Sequence, residues 1–200
     1  MLYDTDIYKP VFVALKFPNS VLKRIQSINA CIDDRVVRKA KSSSFHLTLH
    51  FFGETEISQV KFIHSELMNN LGHLAPLKLK LDTIGSFPKS SNAKVIWLGV
   101  NGDLCELNYI QSQISKSARK LGLEIKVEKF MPHITLARIR EGNKLNQKEV
   151  FLKNIKIVKK SILDSPVFEV KSIVIINSVQ SGNGYQYNEI GSIYLNNQAC

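Results

Sequence analysis

The chain alternates between short apolar runs and longer segments whose apolar residues recur every three or four positions. Val11–Leu15 (VFVAL) is a continuous β-rich run closed by Pro18 and reads as a buried strand. Asn19 or Ser20 then caps a helix through about Ile32, with Val21, Leu22, Ile25 and Ile28 on one face. Phe45–Phe52 alternates as a strand up to Gly53. A second helix opens near Glu56 or Ser58, carries Val60, Ile63, Leu67 and Leu71, and stops at Gly72. Leu77–Ile84 (LKLKLDTI) alternates strictly, as a strand with one wet face does.

The order then returns. Val95–Val100 (VIWLGV) is an apolar strand, and Asp103 caps a helix with Leu107, Ile110, Ile114, Ala118 and Leu121, ending at Gly122. Pro132–Ile139 is a second strand containing a histidine, Leu145–Leu152 a shorter helix, and Val167–Val179 a long strand. Asn183-Gly184 is a hairpin turn into a closing strand around Tyr187–Leu195. A β-α-β(His)-α-β order thus occurs twice, over approximately 11–84 and 95–179, with a C-terminal hairpin at 167–195. His46 and His133 fall at corresponding places. The expectation is one bilobal α+β domain over 1–200, internally duplicated. Its two pseudo-symmetric lobes, each an antiparallel-rich sheet packed by helices, would flank a central cleft.

The histidine strands carry the candidate chemistry. In FHLTLHFFG (45–53) and PHITLARIR (132–140), residues two apart share a face, so His46 projects with Thr48 and His133 with Thr135. Leu47, Leu49, Ile134 and Leu136 point the other way and anchor each strand. One neutral imidazole accepts a proton while a protonated one donates, and attack at phosphorus needs both. Threonine hydroxyls can hold the non-bridging oxygens where charge collects. Two His and two Thr around one phosphate need no metal or other cofactor. His46 and His50, four apart on a strand, are separated by about 13 Å, too far to share an ion. His50 shares a face with His46 on strict alternation and borders the pocket, while His64 and His73 read as surface or rim residues. Phe51, five after His46, reads as core. Arg138, five after His133, falls on the opposite face unless the strand ends, twists or bulges; a phosphate contact and a surface charge both stay open.

Charge adds a partner class. The 200 residues hold 27 Lys and Arg against 17 Asp and Glu, a net charge of +10 that draws polyanions such as nucleic acid. Cys31, Cys105 and Cys200 are widely spaced, in no zinc or disulfide pattern, and read as buried or incidental thiols. The N-terminus has no signal-peptide pattern and no apolar run approaches membrane-spanning length, so the expected location is cytoplasmic.

At FVALKFP (12–18), HLTLHFFGE (46–54), FP (87–88) with VIWLGV (95–100), and PHITLAR (132–138), the chain resembles the 2H phosphoesterase superfamily. Within it, the match is to the RNA 2′,3′-cyclic phosphodiesterases, also called LigT-like or 2′-5′ RNA ligases. The resemblance implies a two-lobed α+β fold and hydrolysis of RNA 2′,3′-cyclic phosphate ends to 2′-phosphates, with reversible 2′-5′ ligation as a side activity. It makes His46 the proton donor and His133 the proton acceptor, with Thr48, Thr135 and Arg138 binding phosphate. The implied partner is RNA with a cyclic phosphate end, tRNA fragments among the candidates, acted on by a monomer. Lys94 and Met131 stand where relatives often carry Arg; the Lys-rich stretch 144–160 either compensates by holding RNA backbone or is a solvated helix face, and both readings stay open. Other small cyclic phosphates, 2′-5′ linkages and a non-catalytic RNA-binding module are the alternatives.

Overall fold

A computed structural model describes residues 8–35, 37–88, 93–123, 129–140, 147–182 and 184–196, the first five of the last helix by backbone alone. Strand β1 (Tyr8–Leu15) is buried on both faces from Val11 onward. Its odd positions, Val11, Val13 and Leu15, join the main core, while Phe12 and Ala14 join a smaller apolar cluster with Val174 and Ile176. That two-sided burial explains the continuous apolar run.

Four helices fill the main core: α1 (Asn19–Ala30), α2 (Val60–Leu71), α3 (Leu104–Lys120) and α4 (Gln147–Ile162). The apolar positions predicted for the first three are the ones buried: Val21, Ile25 and Ile28; Val60, Ile63, Leu67 and Leu71; Leu107, Ile110, Ile114 and Ala118. Asp103 stands at the N-cap of α3, but its carboxylate accepts from the Lys78 N–H at 2.8 Å, tying the helix start to a strand instead. The short helix expected at 145–152 is instead α4, 16 residues long; 145 and 146 lie outside the described residues.

The remaining strands are β2 (Val37–Lys39), β3 (Leu47–Glu56), β4 (Leu77–Phe87), β5 (Val95–Gly102), β6 (His133–Ile139), β7 (Phe168–Val170), β8 (Ser172–Ser181) and β9 (Gly184–Tyr194). Among the described residues they form one curled antiparallel sheet in the order β7-β4-β5-β6-β3-β1-β8-β9, with β2 paired to β6. The architecture is α+β, as expected, but both halves share this single sheet. The order is symmetric about the β6–β3 junction. The single strand expected at 167–179 breaks at Lys171: β7 pairs with β4 at one edge, and β8 pairs with β1 near the other. One run of chain thereby serves both ends of the sheet and draws it into a curl. Ser181 pairs with Gly184, so Gly184 already belongs to β9 and the hairpin turns one residue earlier than Asn183-Gly184; Asn183 itself lies outside the described residues. Cys31 and Cys105 are exposed free thiols, not buried ones, and Cys200 lies outside the described residues. Among the described residues, no helix is long and apolar enough to cross a membrane.

One buried polar contact fixes the second histidine strand. The Leu136 carbonyl accepts from the Ala40 N–H and from the amide of Asn29, both at 2.7 Å. Asn29 is buried at the end of α1. Asn29→Ala is expected to lose about 1–3 kcal/mol of stability. Urea unfolding checks this, and an unchanged midpoint would remove Asn29 from the account of how β6 is held.

Candidate active site

The four His and Thr side chains come together through one backbone pairing. Leu47 of β3 lies opposite Ile134 of β6 in an antiparallel register. Both point into the core, so the flanking residues face the open side. In this register His46 stands beside Thr135, and Thr48 beside His133.

Both strands bulge immediately after the H-x-T triplet. On β3, Val13 pairs with His50 and Ala14 with Thr48, which leaves Leu49 without a partner. On β6, Ile96 pairs with Ala137 and Trp97 with Thr135, which leaves Leu136 without one. A bulge adds one residue and resets the alternation. Leu49 and His50 are consecutively buried, as are Leu136 and Ala137. Position +5 from each histidine therefore turns to the open face.

The bulges settle three residues. Arg138 shares the cleft with His46 and Thr135, in the way strict alternation forbade and a bulge permits. Phe51 is 46% exposed, and the expectation that it is core fails. His50 is 8% exposed on the helix side, beside Phe52 and 3.3 Å from the Ser115 hydroxyl of α3. It does not line the two cavities that meet at His46; burial, then the Arg119 charge, lower its pKa.

Each imidazole is wedged by two aromatic rings. His46 lies 4.8 Å from Phe12 and 5.0 Å, edge to face, from Tyr187, measured between ring centres. His133 lies 4.9 Å from Phe87, edge to face, and 6.2 Å from Trp97. The Trp97 ring occupies the space that a side chain at Gly85 would fill. His133 Nδ1 is 2.7 Å from the Met131 carbonyl. That nitrogen must carry a hydrogen to donate there, which leaves Nε2 as the basic nitrogen of the neutral ring.

Two cavities meet at His46. One, about 440 Å³, is lined by Arg38, Lys39, Lys41, Thr135, Arg138 and Tyr185, among others. The other, about 280 Å³, is lined by Thr48, Phe12, Phe51, Ser178, Tyr185 and Tyr187. His133 lines neither, and is joined to them through the β3–β6 register. Sequence reading missed Arg38, Tyr185, Tyr187 and Asn29. Arg38 arrives on β2, too short to read as a strand, and the tyrosines on β9, along which burial does not alternate. Burial raises the Tyr187 phenol's pKa against the Arg138 charge, so it stays a hydrogen-bond donor near neutrality.

Comparisons with known proteins show the family and the fold. The AKAP7 2′5′ RNA ligase-like domain family matches residues 2–190. The chain belongs to this family, within the 2H phosphoesterase superfamily. The RNA 2′,3′-cyclic phosphodiesterase of Methanocaldococcus jannaschii is 29% identical over 182 residues, covering 90% of this chain and 97% of the relative. That of Aquifex aeolicus is 26% identical over 190 residues, covering 92% and 94%. Among solved structures, TT0787 of Thermus thermophilus matches with a TM-score of 0.74 at 18% identity, covering 94% of this chain and 98% of that one. Escherichia coli LigT complexed with 3′-AMP matches at 0.72 and 20% identity, with the same coverages. These structures establish the shared fold.

Burial, and secondarily the charge of His133, push the His46 pKa down to about 4. The ring is therefore neutral at pH 7 in the free protein and gains its proton only as pH falls toward 4. A bound phosphate should reverse part of this by placing an anion beside the ring. NMR titration of the imidazoles should give a midpoint near 4 for one histidine, rising when inorganic phosphate is added. An ordinary midpoint for His46, insensitive to phosphate, would contradict this electrostatic picture.

Proposed function

We propose that the chain hydrolyses RNA 2′,3′-cyclic phosphate ends to 2′-phosphomonoesters, by an acid–base mechanism that uses no metal. The observation that carries this reading is the juxtaposition of two H-x-T pairs across the Leu47–Ile134 register, in a family whose relatives bear that activity in their names.

The cyclic phosphate sits between the histidines, with Thr48, Thr135 and Arg138 holding its non-bridging oxygens. His133 Nε2 takes a proton from water as the water oxygen bonds to phosphorus; its Nδ1 contact to Met131 keeps this tautomer in place. The bond from phosphorus to the 3′-oxygen breaks, and that oxygen takes a proton from His46. His46 is neutral in the free protein, so the substrate's negative charge is what restores its proton. Activity accordingly falls as pH rises past the His46 pKa in the complex. A 5′-hydroxyl replacing water in the same step forms a 2′-5′ linkage, which makes ligation a side reaction of the same groups.

We also read the symmetric sheet order as internal duplication of 11–84 and 95–179 within one bilobal domain. The protein would act as a cytoplasmic monomer on RNA ends, tRNA fragments among them. Protein treated with EDTA should convert a nucleoside 2′,3′-cyclic phosphate to the 2′-phosphate alone, as followed by phosphorus NMR. Formation of the 3′-phosphate, or loss of turnover that added metal restores, would sink this reading.

A further inference from the structure

The basic side of the cleft holds more positive charge than one phosphate requires. Arg38 of β2 lies directly opposite Arg138 of β6 in the strand register, and both side chains are exposed. Like charges in that position destabilise a sheet. Neither guanidinium meets a carboxylate among the described residues, whereas Arg35, Lys16 and Lys120 each do. Lys41 follows two residues after β2, and among the described residues no acidic side chain lines the cavity they share. An uncompensated pair of this kind, in a cavity rather than on an open surface, is a site prepared for an anion.

Position identifies which anion. Thr135 marks the reacting phosphate. Arg138 is about 7 Å farther along β6, allowing for the bulge, and Arg38 about 5 Å beyond it on the next strand. With the two offsets at right angles, Arg38 stands about 9 Å from Thr135, farther out than Arg138 and about one nucleotide step away. We propose that Arg38, with Lys41, binds a second phosphate: the one on the 5′-oxygen of the terminal nucleoside, where RNA continues upstream. This rests on the reading of the site given above. It makes the preferred substrate the end of an RNA chain, in preference to a free nucleoside cyclic phosphate.

The test uses binding of product analogues, so it does not depend on turnover. Calorimetry on the whole protein at low salt compares adenosine 2′-phosphate, adenosine 2′,5′-bisphosphate and an adenylate dinucleotide ending in a 2′-phosphate. The added 5′-phosphate should tighten wild-type binding about tenfold, in free or diester form, with most of that advantage lost in Arg38→Gln and partly kept in Arg38→Lys. Without ligand, Arg38→Gln should melt no lower than wild type, because it relieves the opposed charges; a merely structural arginine would lower the melting temperature. An advantage confined to the bisphosphate would overturn the assignment to an RNA chain. No advantage in wild type, or an equal one in Arg38→Gln, would overturn the subsite altogether. If the advantage depends on Arg38 while wild type turns over no cyclic phosphate, the subsite stands and the catalytic reading fails. Turnover with no 5′-phosphate advantage leaves the catalytic reading standing and removes the subsite.

Discussion

The antiparallel pairing of Leu47 with Ile134 is the contact on which the site depends. Both side chains are fully buried under the helices, so a register slip would turn two apolar residues toward water and both H-x-T pairs into the core. Burial of each Leu or Ile is worth about 1.5–3 kcal/mol, which specifies the register firmly. The polar groups on the open face are placed by this apolar pairing and need no mutual attraction to hold them. The bulges at Leu49 and Leu136 then repeat the same local device on both strands, and the Leu136 carbonyl is secured by Asn29 and Ala40.

The symmetry of the backbone ends at the side chains. After the bulge β3 presents Phe51, and β6 presents Arg138. One cavity beside His46 is therefore aromatic and the other cationic, meeting at Tyr185 and Tyr187. The two rings about His46 are also closer than those about His133, and burial, then the His133 charge, push the His46 pKa down to about 4, while His133 keeps a backbone carbonyl on Nδ1. Two motifs nearly interchangeable in sequence thus acquire different proton chemistry from their surroundings. That difference supports giving them separate roles.

Much of the fold was legible because its periodicities are clean. The buried positions of α1, α2 and α3 follow the helical spacing, and VFVAL is continuous because β1 is covered on both faces. What stayed hidden depends on partners distant in sequence. The break at Lys171 arises because β4 and β1 claim successive parts of one apolar run. Three-residue β2 carries no pattern of its own, so Arg38 could not be placed beside Arg138. Strict alternation puts His50 on the open face and Phe51 in the core, and brings Arg138 to the open face only if the strand ends, twists or bulges. One extra residue per strand reversed the face of each. The H-x-T pairs themselves were readable because they precede the bulges.

The most direct test is a double-mutant cycle on the two histidines, with kcat measured on a nucleoside 2′,3′-cyclic phosphate. His46→Ala and His133→Ala should each lower kcat by about 10²–10⁴-fold. The double variant should fall short of the product of the two, because both groups serve the same displacement at phosphorus. Near-wild-type turnover in either single variant would contradict the claim that the paired strands form one catalytic site.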